Sequence, residues 1–155
     1  MGGGVTDLTA ILPRPVLRAE SCTRRHGSGC AACADACPRD VWQVPSTDDP
    51  PRPDADACIG CALCVPACPV GAIIDVGPSA ASVVEAAASA GGSAVVRCRV
   101  AQQVAAPGYA ASVLVPCLGA LDPETVAAAA VRLEEGTVTL ERAACEACPV
   151  APVAA

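Results

Sequence analysis

The sequence predicts a unit tied together through cysteines, followed by a small α/β unit with a mostly parallel sheet. Three observations predict it. Twelve cysteines stand among 155 residues, about 8% and close to the density of a cysteine scaffold. Aromatic side chains almost vanish, with Trp42, Tyr109 and no Phe, so a core of small aliphatic side chains needs a covalent or metal staple. The chain also changes character near Gly77-Pro78: eight cysteines crowd residues 19–78, whereas residues 79–155 hold long Ala/Val stretches with four cysteines spread out. The expected organisation is a tail over 1–18, a cysteine-rich domain over 19–78 and an α/β domain over 79–155.

Charge and hydropathy narrow the setting. Ten basic residues, all Arg, oppose 16 acidic ones for a net charge of −6, which argues against the basic stripe of a nucleic-acid binder. No apolar run approaches the ~20 residues of a membrane span. The start, Met1 to Thr6, lacks a positive region leading into an apolar one. A reducing, cytoplasmic location is therefore expected, where cysteines serve metal or redox chemistry rather than a disulfide framework.

The first cysteine region is a repeat. Cys30, Cys33 and Cys37-Pro38 recur as Cys61, Cys64 and Cys68-Pro69, each shifted by 31 residues. Short apolar stretches follow each Cys-Pro, Val41–Val44 in one copy and Ala72–Val76 in the other. Cys22 and Cys58 are offset by 36, so the first copy carries five extra residues. A Pro- and Asp-rich loop, residues 45–57, separates the copies. The run Cys58-Ile-Gly-Cys61-Ala-Leu-Cys64-Val-Pro-Ala-Cys68-Pro69 carries the chemistry. Three thiolates spaced by two residues can wrap one face of a cubane cluster, and a fourth before a Pro ligates the other cluster. Small residues between them, Gly60 and Ala62, let backbone N–H groups approach the sulfides. A structural zinc site needs only two pairs of thiolates and fits this run poorly.

Residues 19–78 resemble the bacterial two-cluster [4Fe–4S] ferredoxins. That resemblance implies an α+β ferredoxin-type two-cluster domain with two [4Fe–4S] clusters. One would be held by Cys58, Cys61, Cys64 and Cys37, the other by Cys30, Cys33, Cys68 and Cys22. In the first copy the family's short spacer becomes Thr23–Gly29, which leaves His26, or a three-iron cluster, as alternatives to ligation by Cys22. Arg24 and Arg25 either place positive charge near that cluster, favouring its reduced state, or belong to an exposed loop without a partner.

The second half reads as alternating strands and helices. Ala80–Ala90 is helix-prone and ends at Gly91-Gly92. Ala94–Arg97 and Ser112–Val115 are short β-branched strands. Asp122 is the expected N-cap, with Pro123 and Glu124 in the first turn of a helix running through Thr125–Glu135 to Gly136. Thr137–Leu140 is a third strand. The order β-x-β-α-β implies a small, largely parallel sheet.

Cys98 and Cys117 then fall at strand ends, and the Cys145/Cys148 pair lies just past the third strand. The C-terminal edge of a parallel sheet, where ligands usually sit, would gather these four scattered thiols as one metal site. The alternative is that each is a buried free thiol packing as a small hydrophobe. The stretch from Val115 through Cys117-Leu-Gly-Ala-Leu-Asp122-Pro-Glu124 to Cys145-x2-Cys148 resembles the iron–sulfur delta subunit that links certain hydrogenases to heterodisulfide reductase. That resemblance implies a [2Fe–2S] cluster. The chain departs from it after Cys98, where Arg99 to Ala101 stand in place of a second Cys, and in its short Cys145-Cys148 spacer. Zinc stays open as the metal.

The expected function is single-electron relay between a redox enzyme (a hydrogenase, dehydrogenase or reductase) and an acceptor. With one His, no nucleophile-elbow Ser and no dinucleotide-binding glycine loop, the chain reads as a non-catalytic component of an oxidoreductase complex. Its partners would be redox subunits with basic docking patches. Two alternatives stand beside this. Cys145 and Cys148 could act as a dithiol/disulfide pair, or the second half could be a zinc-stabilised interaction domain.

Overall fold

The computed structural model describes residues 14–74, 80–89, 93–104, 113–133, 136–143 and 145–148. The expected boundary at Gly77-Pro78, the helix stop at Gly91-Gly92 and the end of the second helix at Glu135 lie outside these residues.

The N-terminal half is built as two interlocked copies. Strand β1 (Val16–Leu17) pairs antiparallel with β4 (Ile73–Ile74), and β2 (Trp42–Gln43) pairs antiparallel with β3 (Arg52–Pro53). Between them lie two short helices, α1 (Ala32–Asp35) and α2 (Cys64–Ala67). The sequence offsets map onto this geometry: β2 and β4 are related by 31 residues, and β1 and β3 by the 36 that relate Cys22 to Cys58. Each copy therefore lends its leading strand to the other copy's trailing strand. Val16 and Leu17, inside the stretch read as a tail, are part of this pairing.

Beneath the strands sits a small core of Cys33, Val41, Trp42, Cys64 and Ile73, with Leu17, Cys37, Cys58 and Cys68 packed at its margin. Trp42 is the one aromatic ring in it. Cysteines take the places that larger apolar side chains fill in most cores, so the apolar area that stabilises this half is small.

The C-terminal half holds a three-stranded parallel sheet in the order β6 (Val113–Val115), β5 (Ser93–Cys98), β7 (Thr137–Glu141). Helices α3 (Ala80–Ser89) and α5 (Pro123–Arg132) pack together and against the sheet. Val83, Val96, Val113 and Val115 form one buried cluster, and Ala94, Ala129 and Leu133 another. Ala94 and Ala129 are fully buried, while α3 packs on β5 and α5 on β7. Helix α4 (Arg99–Val104) starts directly after Cys98, an element the sequence patterning does not announce. Arg97 is buried where β5 meets β7, beside its register partner Glu141. Its Nε donates to Glu141 Oε2 at 2.7 Å, and a second nitrogen donates to Gln102 Oε1 at 2.7 Å. Among the described residues, no helix is long and apolar enough to cross a membrane.

The N-cap of α5 follows the sequence expectation. Asp122 accepts from the Thr125 N–H and the Thr125 hydroxyl, both at 2.7 Å. These bonds hold its carboxyl below the ordinary value of 3.8. Its stabilising contribution is thus complete above that value and lost as pH falls below it through the lower value of the folded state. Asp122→Ala should cost about 1 kcal/mol at neutral pH, and the gap to wild type in urea melts should close below about pH 4.

Candidate metal centres

Three groups of thiols each line one cavity. Cys37, Cys58, Cys61 and Cys64 line the first, together with Trp42, Ala62, Arg14 and Arg39. Cys22, Cys30, Cys33 and Cys68 line the second, with Arg24, Leu17 and Ile73. Cys98, Cys117, Cys145 and Cys148 line the third, with Leu63, Gly119 and Arg142. The first two groups cross between the copies: Cys37 of the first copy lies with the second copy's thiols, and Cys68 of the second with those of the first. Cys22 is buried in the second cavity, whereas His26 is exposed and not part of its lining. Space remains within each group, about 60, 20 and 370 Å³ in turn, so none is packed shut even to a water molecule.

Local backbone geometry explains how the first group forms. Gly60 and Ala62 both take left-handed conformations, each at φ 63°, on either side of Cys61. Alternating hands in this way folds the Cys58–Cys64 stretch into a tight loop instead of a helix or strand. Gly60 adopts the conformation freely, whereas Ala62 adopts it at a cost. The Cys-Pro step closes each copy, and the N–H of Ala72 donates to Cys68 Sγ at 3.2 Å.

The third group is assembled by the sheet. Cys98 ends β5, and Ala101 N–H in the first turn of α4 donates to its sulfur at 3.4 Å. Cys117 follows β6 and precedes a 3₁₀ turn, Leu118–Ala120, while Cys145 and Cys148 bracket a second such turn beyond β7. The Cys145 thiol donates to the Ala143 carbonyl at 3.6 Å. Among the described residues, no three His, Cys, Asp or Glu side chains close to the spacing of one bound ion. The four thiols of a cubane each hold a separate iron and stand farther apart than the ligands of a single tetrahedral metal.

Residues 27–73 match the family model of the 4Fe-4S dicluster domain. The match supports a ferredoxin-type 4Fe–4S domain in this segment. No match was found among curated proteins or among solved structures. A dicluster domain of this type points to [4Fe–4S] clusters and to iron–sulfur electron transfer, and eight thiols around two cavities are a donor set that fits them.

Among the described residues, the ferredoxin-type domain touches the third group through its Cys58–Cys64 loop. Leu63, between Cys61 and Cys64, lines the third cavity. A Cβ added to Gly119 would stand 2.9 Å from Leu63 Cδ2, so glycine there permits the approach. Arg99, next to Cys98, donates to the Ile59 carbonyl at 3.1 Å. In the sequence, residues 99–101 stand out only as a departure from a pattern. The hydrogen bond identifies Arg99 as a tie between the two halves.

Thiol electrostatics follow the same grouping. Burial pushes Cys64 up to about 12, with Cys61, Cys37 and Cys58 adding to the rise and a hydrogen bond from Trp42 opposing it. Burial also raises Cys33, reinforced by Cys30 and Cys68. Cys117 is raised first by burial and then by Cys148, Cys98 and Cys145. Cys61 is raised by burial, then by Cys37, Cys117 and Cys58, so it senses a thiol of the third group.

Two predictions follow from this geometry. Metal loading must strip protons from these thiols, so it should release protons and tighten as pH rises. For the buried thiols the rise should continue past about pH 9 rather than level off at the free-cysteine value. Chelator competition across pH 7 to 10 checks this, and pH-independent loading would contradict it. At Ala62, relief of strain and loss of a buried methyl, each about 1 kcal/mol, nearly cancel in Ala62→Gly. Ala62→Val, β-branched in the left-handed region and overpacked, should cost about 2 kcal/mol or more in melts of the loaded protein.

Proposed function

We propose that the chain is a three-centre electron relay. Cys37, Cys58, Cys61 and Cys64 would hold one [4Fe–4S] cluster, and Cys22, Cys30, Cys33 and Cys68 the other. Cys98, Cys117, Cys145 and Cys148 would hold a third centre, a [2Fe–2S] cluster. Each centre, when bound, accepts and releases one electron at a time. The observation that carries this reading is the gathering of twelve scattered cysteines into three groups of four, each around its own cavity.

The chain's own residues provide attachment, spacing and docking. Leu63, Gly119 and the Arg99 tie to Ile59 keep the third group against the Cys58–Cys64 loop, giving electrons a short route between the halves. Acidic side chains at Asp48, Asp49, Asp54 and Asp56 are exposed in and beside the loop linking β2 to β3. With the net charge of −6, they suit a redox partner with a basic patch, and association should weaken as salt rises. The partner class is a redox enzyme subunit, and no substrate bond is made or broken on this chain. In domain terms, the ferredoxin-type unit spans about residues 16–78, with Val16–Leu17 as its first strand, and the third centre belongs to residues 79–155.

The test is metal and sulfide analysis of the full chain, reconstituted anaerobically, with EPR of the reduced protein. Two cubanes and one binuclear centre require roughly ten irons. Cys117→Ser should lower that count by roughly two and leave both cubane signals. A count of roughly eight, unaffected by Cys117→Ser, would remove the third cluster, and one bound zinc alongside would make that site structural. A count below four would overturn the relay itself.

A further inference from the structure

Among the described residues of the N-terminal half, Arg24 is the most deeply buried charged one, at 2% exposure. It belongs to the spacer Thr23–Gly29, which is five residues longer than its counterpart Ile59-Gly60 in the second copy. It lines the cavity of Cys22, Cys30, Cys33 and Cys68. Its guanidinium is fixed by two neutral acceptors: Nε donates to the Asp49 carbonyl at 2.8 Å, and a terminal nitrogen donates to the Cys30 carbonyl at 2.7 Å. The ion pairs among the described residues are Arg14–Asp56 and Arg97–Glu141, and Arg24 is in neither.

A buried cation held only by carbonyls is costly unless a negative charge lies nearby. Four thiolates around a metal cluster provide one. The cavity of Cys37, Cys58, Cys61 and Cys64 also has arginines on its wall, Arg14 and Arg39. Arg39 is exposed and the Arg14 side chain is 37% exposed, so water and salt screen both. The insertion thus makes two otherwise matched sites electrostatically unequal.

We infer that Arg24 is the fixed counter-charge of the Cys22, Cys30, Cys33 and Cys68 centre and directs the first electron to it. The inference rests on the proposed cluster assignment. Reduction adds one electron and one negative charge to the centre, with no bond formed or broken, the electron coming from a one-electron donor such as dithionite. A buried positive charge beside the site favours the reduced form and raises its potential. Of the two centres in the ferredoxin-type domain, the one remote from the C-terminal thiols would therefore fill first. Arg24 acts here as a positioning and tuning residue, not as a ligand.

The experiment is an EPR-monitored dithionite titration of the full-length, anaerobically reconstituted protein as wild type, Arg24→Lys and Arg24→Gln. Iron is counted first, so that absence of the clusters themselves, which would defeat the relay proposal, is read separately. Arg24→Gln should shift the reduction equilibrium of one cubane toward the oxidised form by at least tenfold, about 59 mV for one electron, and leave the other in place. Arg24→Lys, which keeps the charge but not the two-pronged hydrogen bonding, should retain most of the wild-type potential. Unmoved potentials in Arg24→Gln, or equal shifts in both cubanes, would overturn the inference. If Arg24→Gln fails to load that centre, half-reduced wild type decides. Hyperfine-shifted cysteine signals in NMR should place the first electron at Cys22, Cys30, Cys33 and Cys68, and its location at the other cubane would refute the role of Arg24.

Discussion

Neither copy of the repeat can complete its own cavity, because Cys37 lies with the thiols of the second copy and Cys68 with those of the first. The strands cross in the same sense, β1 to β4 and β3 to β2. Everything else in the N-terminal half depends on this exchange. The apolar core between the cavities contains one aromatic ring and is rimmed by cysteines, so burial alone leaves little stability in hand. On the proposed reading, metal binding and folding of this half are one event, since the thiols that pack the core are the thiols that hold the clusters.

The second half solves a different problem with a different device. A parallel sheet brings the C-terminal ends of its strands to one edge, which gathers Cys98, Cys117, Cys145 and Cys148 across 51 residues of sequence. That edge faces the Cys58–Cys64 loop through Leu63, Gly119 and Arg99. The molecule also buries two arginines in contrasting ways. Arg97 is matched by the Glu141 carboxylate on the neighbouring strand, so its charge is settled within the protein. Arg24 meets two neutral carbonyls, leaving its charge to act on whatever fills the adjoining cavity.

Much of this was legible in the sequence, for identifiable reasons. Cysteine spacing is a local signal, so the repeat could be read from positions 30 to 69, whereas the crossing was implied by the ferredoxin resemblance. Capping is equally local, and Asp122-Pro123-Glu124 announced helix α5. Strands β5, β6 and β7 were visible because β-branched runs stand between Ala-rich helices. Strands β1 and β3 were not, because two residues carry no periodicity and Pro53 argues against a strand by propensity. The 36-residue offset of Cys22 and Cys58 held the missing clue, since the same offset relates β1 to β3. Helix α4 escaped notice because six residues after a strand give no room for an amphipathic pattern. The tie from Arg99 to Ile59 and the burial of Arg24 are tertiary facts, invisible to any local signal.

The central claim is that ligands cross between the copies, and paired serine variants of the full chain test it most directly. Reduced, anaerobically reconstituted Cys37→Ser and Cys61→Ser should leave the same residual cubane EPR signal. Cys68→Ser and Cys30→Ser should leave the complementary one. If Cys37→Ser instead matches Cys30→Ser, each copy serves its own cluster and the account is contradicted.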